Sequence, residues 1–111
     1  MVVDREQGQA HNEALFRATN REIERASKAL GEGAGSETEF LCECGREGCA
    51  TMLRLTIGDY DRIHALRERF IVLSGHENPE IEQVVEQTKR YCVVEKFGQA
   101  AEIARDADPD A

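Results

Sequence analysis

Residues 40–56 read FLCECGREGCATMLRLT. The apolar pair Phe40-Leu41 runs into Cys42-Glu43-Cys44, and glycines at 45 and 48 flank a short polar turn that ends at Cys49. Met52-Leu53-Arg54-Leu55-Thr56 then alternates in the manner of a half-buried strand. The stretch predicts a β-hairpin with cysteines at its tip. On extended backbone, residues two apart face the same way, so the thiols of Cys42 and Cys44 share a face. Gly45 and Gly48 give the backbone the freedom to bring Cys49 back onto them. Reduced cysteines clustered in sequence signal metal or redox chemistry more often than a disulfide framework.

Zinc takes four tetrahedral N/S ligands, and this hairpin supplies three. The fourth lies elsewhere. His76 is the first choice, because it sits in a Gly-His turn just after a strand, where a loop can carry an imidazole to the cluster. Cys92, His64 and a water molecule compete with it. Cys92 lies mid-strand among Tyr91, Val93 and Val94, the setting of an inert buried thiol. His64 falls inside a helix, where a satisfied or surface histidine is the ordinary reading. Water would make the site catalytic. His11, in the N-terminal segment, reads as a bystander. The expected ligand set is therefore Cys42, Cys44, Cys49 and His76 around one structural Zn2+. Three thiolates and a neutral imidazole leave that ion formally anionic and a poor Lewis acid, which favours structure over hydrolysis.

Outward from the hairpin, residues 1–11 carry no periodic pattern and read as a flexible tail. Asn12 can cap a helix starting at Glu13 and running to residue 30. Phe16, Ile23, Ala26 and Leu30 give it a narrow apolar stripe, with Glu13–Arg17 and Glu24–Lys28 as i,i+4 pairs on the solvent side. GEGAGS at 31–36 is a linker by composition, so the helix either docks or swings free. After the hairpin, a helix opens at Thr56 or Gly58, and Phe70-Ile71-Val72-Leu73 is a buried strand. Residues 78–90 fit a helix begun at Asn78-Pro79-Glu80 or a hairpin turning at Thr88-Lys89-Arg90, and the hairpin is preferred. Gly98 starts a last short helix. The class is α+β: an N-terminal helix plus a zinc-stapled domain at 37–105, built of short antiparallel strands and two short helices, and an acidic tail at 106–111.

The chain has 111 residues, which fits one domain. A domain of this size buries only roughly two-thirds of its unfolded surface, so a metal cross-link would help it. Four Phe, two Tyr and no Trp leave most of the core to aliphatic residues. Net charge is −8, with 22 acidic against 14 basic residues and no basic run. That balance argues against nucleic acid as a direct ligand and serves solubility or a basic protein partner. No segment approaches the ~20 apolar residues of a membrane span, and the first residues lack the order of a signal peptide, so the expected location is cytoplasmic with reduced cysteines.

The order Phe40-x-Cys42-Glu43-Cys44-Gly45 with Cys49, then Asp59-Tyr60, Gly75-His76-Glu77, and Tyr91-x-Val93-Val94-Glu95-Lys96 resembles a group of small actinobacterial zinc-binding proteins of uncharacterised role. The resemblance spans residues 12–108. Ser74 stands where that group has Pro, and Asp59 where it has Glu. The resemblance implies that His76 is a motif residue and Cys92 is incidental.

The expected function is a non-enzymatic structural-zinc module for protein interaction or regulation, transcription-associated regulation included. Its partner contact, or its self-association, would run through the N-terminal helix. Two alternatives stand beside it. One is a redox-sensitive zinc switch or small zinc enzyme, with Glu43 and Glu77 as acid–base groups; both read more readily as solvated or as outer partners of the ligands. The other is a nucleic-acid-binding module using Arg62, Arg67, Arg69, Lys89 and Arg90.

Overall fold

The computed structural model describes residues 5–107. Chain order is α1 (Arg5–Ala29), β1 (Glu37–Leu41), β2 (Met52–Thr56), α2 (Ile57–His64), β3 (Arg69–Val72), β4 (Glu82–Gln87), β5 (Cys92–Lys96) and α3 (Gly98–Asp106). The fold is α+β as expected. β1 and β2 form an antiparallel hairpin with Phe40 opposite Leu53. The second sheet has the order β3-β5-β4, antiparallel throughout, so the preferred hairpin at 78–90 is present. A bulge between Val84 and Glu86 interrupts the β4–β5 ladder. No described helix is long and apolar enough to cross a membrane.

The core lies between the two sheets and α2. Phe40, Leu53 and Leu55 come from the hairpin, Tyr60 and Ile63 from α2, and Phe70, Ile71, Val72, Val93 and Val94 from the second sheet. Thr56 caps α2, its hydroxyl accepting the Asp59 N–H at 3.0 Å. Tyr60 stacks on Phe40 at 4.2 Å between ring centres and on His64 at 4.0 Å.

Helix α1 departs most from expectation. It already runs at Arg5, so 5–11 are helical rather than a flexible tail, and residues 1–4 lie outside the described residues. Asn12 is no cap; its amide donates to the Gly45 carbonyl at 3.4 Å. The segment 31–36 is an ordered connection, with the Gly58 N–H bonded to the Ala34 carbonyl at 2.9 Å. At the other end α3 runs through Asp106, and 108–111 lie outside the described residues.

The inward face of α1 is polar. Glu13, Arg17, Asn20, Arg21 and Glu24 are buried, whereas Ala26 and Leu30 of the expected apolar stripe are exposed. What α1 covers explains the reversal. Arg17 donates to the carbonyls of Arg67 (2.6 Å) and Ala104 (2.7 Å), and Arg21 to that of His64 (3.3 Å). Asn20 donates to Leu41 at 2.9 Å and accepts the Leu41 N–H at 2.8 Å. Three of these partners are element ends, the last residue of β1, the last residue of α2 and the last turn of α3, and Arg67 lies in the connection from α2 to β3. Backbone groups orphaned at such ends need donors or acceptors, which an apolar stripe cannot offer, and helix C-termini attract cations. Phe70 sits beneath Arg17 and Lys96, at 4.7 Å and 5.0 Å from its ring centre. Lys96 is buried between the carboxylates of Glu13 and Glu82. Glu13 therefore pairs with Lys96 in the interior, not with Arg17 at the surface.

Candidate metal centre

β1 ends at Leu41, so Cys42-Glu43-Cys44 follows the strand instead of lying on it. The Cys42 N–H still bonds Thr51 across the hairpin at 2.8 Å, but the Glu43 N–H crosses to the Ile71 carbonyl of β3, also at 2.8 Å. The segment thus bridges the two sheets. Two turns then present the remaining donors. In Arg46–Cys49, the Cys49 N–H bonds the Arg46 carbonyl at 3.1 Å and Gly48 has φ +82°. In Leu73–His76, the His76 N–H bonds the Leu73 carbonyl at 2.8 Å and Gly75 has φ +95°. Each turn has a positive φ immediately before its candidate donor residue, Cys49 or His76, and glycine meets that need in both. The carboxylate of Glu77 accepts the Gly75 N–H at 2.8 Å and braces the second turn.

These turns gather the ligand atoms of Cys42, Cys44, Cys49 and His76 within 4.8 Å of one another. His76 Nδ1 lies 3.6 Å from the sulfur of Cys42 and 3.6 Å from that of Cys49. A tetrahedron with Zn–S near 2.3 Å and Zn–N near 2.05 Å has an S···N edge of roughly 3.6 Å, so the spacing fits the ion. Cys42 and Cys44 are buried, while Cys49 and His76 are half-buried at the rim.

Cys42 and Cys44 interact directly, and their thiols shift in opposite directions. The hydrogen bond between Cys42 and Cys44 pushes the Cys42 thiol up, with burial adding to it. The same bond pulls Cys44 down to about 4 against the effect of burial, helped by the Arg46 N–H, His76 and Cys49. Metal ions bind cysteine as thiolate, so loading this site would release the thiol protons it holds. The Leu73 N–H, 3.2 Å from the Cys42 sulfur, supports the anion that remains.

His64 and Cys92 stand apart from the cluster. His64 is the satisfied histidine expected of its helix, with Nε2 2.8 Å from Glu43 and Nδ1 3.1 Å from the Tyr60 carbonyl. Cys92 is buried against Ser74 and Gln87. His11 is exposed on α1, outside the cluster.

Two features go beyond the sequence reading, which leaves Glu43 either solvated or an outer partner of the ligands. Glu43 is not solvated; it is 0% exposed and bonded to Asn20, Tyr60, His64 and the Ile71 N–H. Burial raises its pKa, but the His64 charge and these hydrogen bonds outweigh burial and hold it below the ordinary carboxylate value. Strand alternation was the available signal, since it turns Glu43 away from the face of Cys42 and Cys44. The second feature is a clamp from α1. Gln9 donates to the Cys44 carbonyl at 3.1 Å and accepts from the Asn78 amide at 2.9 Å, tying both ligand-bearing loops together. The same loops and α1 border an open polar groove of about 660 Å³ lined by Gln9, Asn12, Arg46, Glu47, Asn78 and Glu80.

No family model, curated protein or solved structure matches this chain.

Proposed function

We propose that the chain holds one structural zinc ion on Cys42, Cys44, Cys49 and His76, and that it works as a non-enzymatic interaction or regulatory module of the cytoplasm. The observation that carries the reading is the meeting of four N/S donors from two separate loops within 4.8 Å of one another, with His76 Nδ1 3.6 Å from two of the sulfurs. A sulfur-rich tetrahedral set favours zinc over harder cations. Four protein donors fill zinc's preferred shell, and three thiolates quench its Lewis acidity, which supports structure over catalysis. The resemblance to small actinobacterial zinc-binding proteins rests on the same residues and agrees with this reading, as does a regulatory role of the transcription-associated kind.

For the partner contact, α1 offers Leu15 at 62% exposure, and Leu30, just past its end, is 83% exposed. Its buried polar face ties α1 to the rest of the fold, so a point change there is a better probe than truncation. If Leu15→Glu leaves both the oligomeric mass in light scattering and partner retention unchanged, the helix is not the contact.

Native mass spectrometry with metal quantitation tests the site. Wild type and Cys92→Ser should each carry one zinc, and His76→Ala should lose most of it. A fully loaded His76→Ala protein would overturn the ligand assignment.

The nucleic-acid reading is disfavoured by pairing within its own cations. Arg62 contacts Glu86 at 2.9 Å, Arg69 contacts Glu95 at 3.2 Å and Arg90 contacts Glu37 at 3.9 Å. The redox reading keeps one specific support, because Cys49 alone of the three ligand cysteines is not buried. Peroxide that neither releases zinc nor alters the fold would remove it.

A further inference from the structure

Glu43 is the single residue between two ligand cysteines, yet its side chain meets neither His76 nor solvent. Its Oε2 accepts from Asn20 of α1 at 2.8 Å and from the Tyr60 hydroxyl of α2 at 2.9 Å. Its Oε1 accepts the Ile71 N–H of β3 at 2.9 Å and lies 2.8 Å from His64 Nε2. The Asn20 amide, the Tyr60 hydroxyl and the Ile71 N–H are donors. His64 sets Nδ1 against a carbonyl and Nε2 against the carboxylate, so both its nitrogens face acceptors. Two acceptor oxygens are required here. A carboxamide would turn its NH2 group onto donors on one side or the other.

The contacts also fix register. The Glu43 N–H bonds the Ile71 carbonyl while its carboxylate takes the Ile71 N–H, so residue 43 is held to residue 71 at two points. Two residues along β3 and its exit, the Leu73 N–H reaches the Cys42 sulfur, and the turn to His76 follows at once. Resting on the zinc reading above, we infer that Glu43 is the positioning residue of the metal centre. Its carboxylate, held by three elements, sets Cys42 and Cys44 against the His76 turn before any metal arrives. This is the preorganisation that outer partners give metal ligands, and its loss typically weakens binding by ~10–100-fold.

The test is zinc affinity and zinc release into a competing chelator, measured on wild type, Glu43→Gln and Ile81→Ala. Ile81 is buried in a separate apolar cluster with Ala10 and Ala100, and its truncation lowers stability without touching the Glu43 contacts. Near-UV circular dichroism of the zinc-loaded chains reports the fold. Glu43→Gln should fold with zinc, bind it ~10–100-fold more weakly and release it faster than Ile81→Ala does. Wild-type affinity and release in Glu43→Gln, or release no faster than in Ile81→Ala, overturns the inference. If Glu43→Gln does not fold with zinc, Tyr60→Phe decides, since it removes one donor and keeps the ring stack. Release faster than in Ile81→Ala supports the role, and equal release overturns it. A wild-type chain that takes up no zinc overturns the metal reading and this inference with it.

Discussion

Glu13 is fully buried beside Lys96 and Glu82, two carboxylates sharing one ammonium. Burial pushes the Glu13 carboxyl up to about 9, with Lys96 pulling it down and Glu82 pushing it further up. Its ordinary value is 4.5, so the folded chain holds a proton that the unfolded chain has released across the interval between. Stability from this group is complete below pH about 4.5, declines as pH rises and is gone above about 9. In the zinc-loaded protein, unfolding free energies from urea melts should therefore fall between pH ~7 and ~9, by at most about 1.4 kcal/mol per pH unit. Glu13→Gln, which keeps a carbonyl for Lys96, should flatten that slope. An unchanged slope in the variant would assign the loss to another group.

At the scale of elements, the close fit of α1 on the hairpin tip is testable through two glycines. Both Gly45 (φ +69°) and Gly48 (φ +82°) lie in the left-handed region, so alanine strains either one by about 1–2 kcal/mol. Their surroundings differ. A Cβ on Gly45 would come within 2.6 Å of the Glu13 side chain and 2.8 Å of the Gln9 carbonyl, whereas one on Gly48 meets nothing within 4 Å. Gly45→Ala should accordingly cost at least about 1 kcal/mol more than Gly48→Ala in denaturant midpoints, the added part being overpacking against helix backbone. Equal costs would mean that α1 does not press on the tip. The sequence signals for these elements were unequal. The helix start near Thr56, the apolar run Phe70–Val72 and the preferred hairpin after residue 78 were legible, because period and turn chemistry are local. The facing of α1 was not. Its polar residues turn inward to serve the ends of β1, α2 and α3, and no local pattern records where those ends come to lie.

At the scale of the whole molecule, zinc would cross-link the hairpin to the exit of β3, with Cys49 and His76 separated by 27 positions. Closing a loop of this length restricts the unfolded chain, and an ion that binds only the folded state adds stability by mass action. With free zinc at roughly a thousand times its dissociation constant, that addition is about 4 kcal/mol. A chelator should then lower Tm by roughly 15 °C or more for a chain of this size; calorimetry with and without chelator checks it, and an unmoved Tm would leave the metal no structural role. The amino-acid sequence by itself determined the class of the fold, the hairpin and its three cysteines, and His76 as the best remaining donor. Each of those follows from spacing along the chain and from ligand chemistry. Only the tertiary structure decided that Glu43 is a buried hub, that Cys92 and His64 stand apart from the ligand cluster, and that a charged helix face closes the core. A buried charge is tolerated only where partners from distant segments meet it, and that meeting is a property of packing in space rather than of order in sequence.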